Sequence, residues 1–440
     1  MKRLISILLA LLMMAVMLPV MAMADEATTL QSKIDAAPVG GIVKLDKEYT
    51  EDIVINKELT IDLNGNKLTN SAGDTITVNA NGNLTITGNG TVDNVTHGKA
   101  ALRIEENGKA TLNGGYFNRS KENGKSGTEP GGNSFYTLIN HGVLIINDGA
   151  VVTTASESST LGRFSSLVEN GYQSHQGSTN YPTLTINGGT FKGGINTIKN
   201  DDNGITNIYG GKCENYFQAC VQNHHKTTIY NGEFSADVSS AWSVLNCGSC
   251  ASVDAIHDAH ELVIKNGNFK GDVRASVGKV NIEGGSFEAS FTKAENATIE
   301  ISGGTFNTEV TDYVGENTLV VENNGKYYVG GTARDAIENA TSGTFTVKRA
   351  ERDTDFNNVK SGVTIVNNSG VNIKVNDKEV PNNVSYTVPG APIIIYNPTE
   401  DTPKANDQKN PGTGANDLVG VAAAMAVVSL LGAAAVIRKK

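Results

Sequence analysis

The chain has 440 residues, a formal net charge of −10 at pH 7, and 48 glycines against 10 prolines. Its body contains no basic cluster, which excludes the electrostatic footprint of a nucleic-acid-binding protein. Many glycines without matching prolines, and an aromatic share of 6%, favour an ordered architecture that turns often over a disordered chain.

Residues 1–24 have the pattern of a secretory signal peptide. Lys2 and Arg3 give a positive start, and the run from Leu4 to Val20 is apolar. Ala22 and Ala24 are the small residues of an A-x-A cleavage site. We therefore predict cleavage after Ala24, and an uncleaved N-terminal anchor is the alternative.

A repeated segment organises residues 25–310. One copy runs from Leu184 to Phe191 (Leu-Thr-Ile-Asn-Gly-Gly-Thr-Phe), and drifted relatives end at Phe117, Cys213, Phe234, Phe269, Phe287 and Phe306. Each copy alternates apolar and polar residues, as a strand does, before a Gly-rich corner and one large apolar residue. The shorter intervals are about twenty residues, too short for a βαβ unit or a propeller blade. One coil of a parallel β-solenoid fits this length best.

A second register supports stacked coils. Asparagine follows an apolar pair at Asn107, Asn140, Asn170, Asn200, Asn223 and Asn246. Equivalent positions in a parallel solenoid lie ~4.7–4.8 Å apart, so these amides predict a hydrogen-bonded ladder. The repeated phenylalanines likewise predict an aromatic column inside the coils.

These repeats resemble the right-handed parallel β-helix, or pectin-lyase-like, superfamily, and are most similar to the GGTF-repeat surface proteins of gut-type Firmicutes. The resemblance covers roughly Asp25 to Phe306 and implies an all-β fold. A short amphipathic helix around Ile34 is expected to cap the open N-terminal coil. Residues 311–350 are expected to cap the other end, 351–396 to form a small β region, and 397–409 to be a linker.

Residues 410–440 resemble the sorting signal of sortase substrates. The LPxTG-like pentapeptide consists of Asn410, Pro411, Gly412, Thr413 and Gly414. Residues 418–437 form a predicted transmembrane helix, and a basic tail follows. By resemblance, a sortase cleaves after Thr413 and joins it to peptidoglycan. Asn410 replaces the usual leucine, which leaves the sortase class open, and a plain membrane tail anchor is the alternative.

Insertions interrupt the repeat at 118–135, 153–165, 172–182 and 247–260, and such loops align on one face of a solenoid. Tyr209 and Tyr230 share an outward register in adjacent coils. Because exposed rings suit sugar stacking, we predict carbohydrate binding at these two residues, aided by Trp242 and Tyr172. Ordinary packing of aromatic side chains across strands is the alternative.

The four cysteines are Cys213, Cys220, Cys247 and Cys250. In an exported protein their even number favours disulfides, with three possible pairings. A zinc site that includes His257 and His260 is an alternative, but the ligand spacing is irregular. Free thiols are the third possibility, and no zinc, calcium or other cofactor is predicted.

No catalytic residue is predicted. Asp201 and Asp202 form a notable acidic pair, but Asp-Asp-Asn-Gly is equally typical of a turn. The arginines Arg103, Arg119, Arg163 and Arg274 match no lyase motif. We predict a non-catalytic adhesin or carbohydrate-binding protein, secreted and anchored in the cell wall of the bacterial surface. Its partners would be a sortase, peptidoglycan and host or plant glycans, with membrane contact only through the sorting helix before cleavage. A surface polysaccharide lyase or glycosidase and a structural spacer are the alternatives.

Overall fold

A computed structural model describes residues 28–120, 135–154, 166–173, 179–236, 241–247 and 260–390. The chain divides into Met1–Gly390 and Ala391–Lys440, and every described residue belongs to the first unit. The predicted signal peptide, the linker and the sorting signal lie outside the described residues. Among those described, no helix has the length and apolar character needed to cross a membrane.

The described chain is all-β, and its strands form three long parallel sheets. Through most of the chain each strand pairs in parallel with the strand three places further on, so every coil gives one strand to each sheet. Sheet A contains, in coil order, β1 (Gly41–Lys44), β4 (Glu58–Asp62), β7 (Asn83–Thr87), β10 (Lys109–Leu112), β13 (Val143–Ile146), β16 (Thr183–Ile186), β19 (Ile205–Ile208), β22 (Lys226–Ile229), β25 (Glu261–Ile264), β28 (Gly278–Ile282) and β31 (Ala297–Ile301).

Sheet B begins with β2 (Tyr49–Thr50), β5 (Lys67–Thr69), β8 (Thr91–Asp93), β11 (Tyr116–Asn118), β14 (Val151–Thr153), β17 (Thr190–Lys192), β20 (Lys212–Asn215), β23 (Glu233–Ala236), β26 (Asn268–Lys270), β29 (Ser286–Glu288) and β32 (Gly304–Phe306). Sheet C contains β3 (Ile53–Ile55), β6 (Ile76–Val78), β9 (Leu102–Ile104), β12 (Tyr136–Asn140), β15 (Ser166–Asn170), β18 (Asn196–Asn200), β21 (Ala219–Asn223), β24 (Trp242–Asn246), β27 (Asp272–Ala275) and β30 (Phe291–Lys293). This is the architecture of a parallel β-helix.

The aromatic column forms in the last coils of the β-helix. The rings of Phe234, Phe269, Phe287 and Phe306 stack in succession, with centroids 4.9, 4.7 and 5.0 Å apart. In earlier coils the column is broken, because Val152 stands between Phe117 and Phe191 and Cys213 between Phe191 and Phe234. These smaller residues leave the aliphatic side chains of the other two sheets to fill the core.

The asparagine ladder lies inside the coils along sheet C. Each amide nitrogen donates to the next side-chain oxygen, at 2.7 Å from Asn140 to Asn170, 2.8 Å to Asn200, 3.0 Å to Asn223 and 2.7 Å to Asn246. Asn107 does not belong to the ladder: Ile104 stands opposite Asn140. Asn107 is instead an exposed turn residue with a φ of 66°, a conformation that asparagine tolerates well.

Separate structures cover the two ends of the β-helix. At the first coil, α1 (Leu30–Ala36) packs Leu30 and Ile34 into the core, and the hydroxyl of Thr29 caps its start by accepting from the amide of Ser32. The predicted N-terminal helix is therefore present.

At the other end, antiparallel and parallel strands extend sheet B beyond β32. A 3₁₀ turn (Thr311–Tyr313) precedes β33 (Val320–Asn323), β34 (Lys326–Val329), α2 (Gly331–Glu338), β35 (Gly343–Arg349), β37 (Val363–Asn367) and β40 (Val384–Thr387), while β36 (Asp355–Phe356), β38 (Ile373–Val375) and β39 (Lys378–Val380) form a small separate sheet. Residues from Leu319 to Val388 share a second hydrophobic cluster, so both predicted C-terminal segments contribute to one core.

Candidate functional site

The outer face of sheet C differs from that of sheet A. Strands of sheet A alternate buried and more exposed residues, as β10 does, whereas all five residues of β12, β15, β18 and β21 are buried. The chain segments 121–134, 155–165, 174–178, 237–240 and 248–259, which adjoin strands of this sheet, lie outside the described residues. The insertions predicted from the sequence therefore adjoin the strands whose outer face is buried.

Ionisable side chains occupy this buried outer face. Strand register places Glu169 directly beside Lys199, and Lys199 beside Gln222. Asp201 follows β18 and His224 follows β21, so the turns after these strands bring them to the same region. We call Tyr136, Glu169, Lys199, Asp201 and His224 the polar cluster. Each of these five residues is at most 6% exposed.

Short contacts join the members of the polar cluster. The ammonium nitrogen of Lys199 lies 3.0 Å from Oδ1 of Asp201 and donates a 3.0 Å hydrogen bond to the hydroxyl of Tyr136. That hydroxyl donates in turn to Oδ2 of Asp201 at 3.2 Å. Nε2 of His224 lies 3.9 Å from Oδ1 of Asp201. Asp201 thus has a cation beside one oxygen and a phenol on the other.

Glu169 is the member of the polar cluster whose pKa is strongly raised. Burial raises its pKa well above the ordinary glutamate value, and the negative charge of Asp201 and a hydrogen bond with it act in the same direction. The positive charges of Lys199 and Arg103 act against this rise without cancelling it. The cluster therefore brings two carboxyl groups, an amine, an imidazole and a phenol together in a buried region.

The two carboxyls of the cluster act on each other, since the negative charge of Asp201 contributes to the raised pKa of Glu169. Together with Lys199 and Tyr136 they offer groups that can exchange a proton or hydrogen-bond a polar ligand. Among the described residues, no group of three or more His, Cys, Asp or Glu suits a metal ion.

A ridge of rings lies beside the polar cluster, at the corner where the chain leaves sheet C. The imidazole of His141 stacks on Tyr172 with centroids 4.6 Å apart, and the hydroxyl of Tyr172 accepts a 2.8 Å hydrogen bond from Asn180. Tyr181 is 54% exposed, and its ring centroid lies 5.8 Å from that of His225. These rings give the candidate site an apolar border.

The four aromatic residues predicted from the sequence fall into separate places. Tyr209 and Tyr230 stack on each other beside sheet A, 4.4 Å apart and 9° from parallel, with 47% and 38% exposure. Since each ring covers one face of the other, the pair presents edges and hydroxyls rather than a broad open face. Tyr172 follows β15 and belongs to the corner ridge. Trp242 is the first residue of β24, so it lies where the strands of sheet C begin, whereas Tyr172 lies where they end. The guanidinium carbon of Arg274 lies 5.7 Å from the centre of the Trp242 ring.

The described cysteines occupy two environments. Cys213 and Cys220 are buried in the core, whereas Cys247 lies on the outer side of sheet C and accepts a 3.6 Å hydrogen bond from Gln222. All three thiols are free in the structure. Cys250, the cleavage residue Ala24 and the pentapeptide from Asn410 to Gly414 lie outside the described residues.

Sequence reasoning misses most of the polar cluster. The sequence indicates Asp201 only as part of a turn, and it does not single out Tyr136, Glu169, Lys199 or His224. A usable signal is nevertheless present, because Glu169 and Lys199 occupy the outward position of the Val-Glu-Asn and Ile-Lys-Asn triplets in coils that carry or adjoin insertions. Within these two coils the outward position is the one directly before the ladder asparagine.

Neither a protein family description, nor a curated protein, nor a solved structure matches this chain at a significant level.

Proposed function

We propose that this chain is an exported surface protein that binds carbohydrate at the polar cluster. The observation that carries the proposal is the burial of Glu169, Lys199 and Asp201 at the outer face of sheet C. Burying charged groups is costly unless they are paired, and a buried carboxyl with a strongly shifted pKa is typical of functional sites. The inner face of the same sheet already supplies the core, so packing does not require these charges.

The chemistry of the polar cluster suits a polyhydroxylated ligand. Sugar hydroxyls both donate and accept hydrogen bonds, and the cluster offers donors from Lys199 and Tyr136 and acceptors from Asp201. Ligand sites combine a few convergent polar groups with apolar borders, and the ridge of Tyr172 and Tyr181 provides such a border. Tyr209 and Tyr230 form a second, separate candidate surface for the same ligand class.

The cellular setting belongs to the same proposal. The signal peptide ending at Ala24 would direct export, and the sorting signal would join Thr413 to peptidoglycan through a sortase. The right-handed coil and the relation to GGTF-repeat surface proteins are also proposed on the sequence pattern alone. Thr413→Ala should move the protein from the covalent wall fraction to the medium or to a detergent extract. Unchanged covalent retention in wall fragments would reject the sorting assignment.

Carbohydrate binding is tested with the purified protein on immobilised plant, mucin and bacterial glycans. Wild type should be retained on at least one glycan, and Lys199→Met should weaken that retention at least about tenfold, the loss of one strong charged hydrogen bond. Lys212→Met, on the outer face of sheet B, is the matched control and should behave as wild type. Tyr209→Ala tests the second surface separately. Retention by no glycan would reject the proposal and leave the structural spacer as the function.

Glycan cleavage is a second candidate, favoured by the raised pKa of Glu169 beside Asp201. A carboxyl with a raised pKa can act as a general acid, and a neighbouring carboxyl can accept a proton. We take elimination, which uses one proton donor and one proton acceptor, as the form of this second candidate.

Incubation with uronate-containing polysaccharides separates cleavage from binding alone. Elimination leaves an unsaturated sugar at the new end, whereas hydrolysis leaves a saturated one. Unsaturated products that disappear in Glu169→Gln, with glycan binding preserved, would support the second candidate. Intact polysaccharide after prolonged incubation would reject it.

A further inference from the structure

Cys213 and Cys220 meet inside one coil of the β-helix. Cys213 lies on β20 of sheet B and Cys220 on β21 of sheet C, with only the corner between them. The sulfur of Cys213 is 3.5 Å from the carbonyl oxygen of Cys220, and the sulfur of Cys220 is 3.7 Å from the carbonyl oxygen of Cys213. Each sulfur therefore lies against the backbone of the other cysteine, which makes the two residues direct neighbours in the core.

Both cysteines depart from the repeat at contacting positions. In the flanking coils the position of Cys213 is held by Phe191 and Phe234. The position of Cys220 is held there by hydroxyl residues, Thr197 and Ser243, which donate to the corner carbonyls of Gly193 and Gly271. One isolated substitution by cysteine would alter only one of these positions relative to the flanking coils. In this coil both contacting positions are cysteine.

The remaining described cysteine is on the other side of the sheet. Gln222 points outward in register with Lys199, and its amide donates to the sulfur of Cys247. The backbone of β21 therefore separates Cys247 from the two core cysteines. A pairing of Cys247 with either of them would require one sulfur to cross the sheet.

We propose that Cys213 and Cys220 form a disulfide that ties sheet B to sheet C beneath the candidate site. The two thiols lose their hydrogens to an oxidised thiol–disulfide couple such as glutathione disulfide, which is reduced to two thiols as the new sulfur–sulfur bond forms. Burial raises the pKa of the Cys213 thiol well above its usual range, and a protonated thiol is a poor nucleophile. The bond therefore forms while the coil is still opening and closing, during folding.

The disulfide has a consequence for the site. Residues Gln222, Asn223 and His224 follow directly after Cys220, and His224 belongs to the polar cluster. Fixing the corner before β21 holds this strand in register with β18, which carries Lys199. The proposal does not depend on carbohydrate binding, because the disulfide can be measured on the protein without any ligand.

Trypsin provides a direct test of the pairing. Cleavage after Lys212 and Lys226 leaves Cys213 and Cys220 together in one peptide. The next peptide, Thr227–Lys265, contains Cys247 and Cys250. The full chain is refolded in a glutathione redox buffer, denatured, and alkylated without reduction. The peptide from Cys213 to Lys226 should be two hydrogen masses lighter than its reduced form and carry no alkyl group. Two alkyl groups on that peptide, or its linkage to Thr227–Lys265, would overturn the proposal.

Variants give an independent readout. Cys220→Ser restores the hydroxyl of the flanking coils and should abolish the drop in melting temperature that reduction causes in the wild type. Cys247→Ser is the matched control and should keep that drop. If reduction still lowers the melting temperature of Cys220→Ser to the same extent, the bond that reduction breaks is not one between Cys213 and Cys220.

Discussion

The ion pair between Lys199 and Asp201 should couple far more strongly than an exposed pair in the same fold. The side chains of the inner pair are 4% and 0% exposed, and its atoms are 3.0 Å apart. Lys265 and Glu283 form the comparison pair, closer at 2.6 Å but 42% and 45% exposed. Distance alone predicts the stronger coupling for the exposed pair, and burial predicts it for the inner pair.

The expected magnitudes follow from the cost of leaving one charge buried. Lys199→Met removes the ammonium beside Asp201, and breaking a buried pair in this way costs about 3–5 kcal/mol. Asp201→Asn alone should cost a similar amount, because Lys199 then lacks its carboxylate. The double variant buries no unpaired charge from this pair, so the coupling free energy should be about 3 kcal/mol. Exposed pairs couple by about 0.2–1 kcal/mol because water screens them.

Urea unfolding of the four inner variants and the four outer ones measures both couplings. The outer set is wild type, Lys265→Met, Glu283→Gln and their combination. A β-helix can unfold in parts, so fluorescence and circular dichroism must give coincident transitions before free energies are compared. An inner coupling no larger than the outer one would refute the view that the polar cluster is a dry, mutually dependent set of charges.

Two further predictions concern the same sheet. The folded pKa of Glu169 lies above its ordinary value of 4.5, so its contribution to stability is fully present below that value and is lost as the pH rises through the folded pKa. Wild type should therefore lose stability relative to Glu169→Gln as the pH rises from 4.5. Parallel profiles of unfolding free energy against pH for the two proteins would contradict the raised pKa. Asn200→Ala should cost about 3 kcal/mol or more, since its side chain makes four buried hydrogen bonds and one part-buried one. Asn187→Ala, which removes an exposed hydrogen bond to Asn147 beside sheet A, should cost less than about 0.5 kcal/mol. Equal losses in urea unfolding would show that the inner ladder contributes no more to stability than an exposed asparagine pair.

Residues that repeat from coil to coil were predictable from the sequence. Asn170 and Asn200 each stand two residues after a large apolar residue, Val168 and Ile198, so their stacking could be predicted from the repeat. Asn107 also follows an apolar residue, Ile104, but lies in a turn, because the pairing of Ile104 with Asn140 sets the register. Spacing along one chain does not show which of two nearby residues faces its neighbour. The ladder was therefore predicted correctly except at its first member.

The break in the aromatic column shows a second limit. Phe191 and Phe234 share a register, and the sequence predicts that they contribute to one stack. Cys213 lies between them, and its replacement of a phenylalanine was visible in the sequence. Its contact with Cys220 was not visible, because the two residues belong to different sheets and only the shape of the corner brings them together.

The polar cluster could not be predicted from side-chain periodicity, for a physical reason. Outward positions of a strand are polar in any half-exposed sheet, so Glu169 and Lys199 look like ordinary surface residues of the kind that sheet A carries. What distinguishes them is burial, and residues far along the chain, such as Tyr136 and His224, are buried in the same cluster. Burial raises the pKa of the Glu169 carboxyl, which side-chain periodicity does not reveal. Insertions are therefore a useful guide to a candidate site in this fold, because in this chain they adjoin the strands whose charged outward residues are buried.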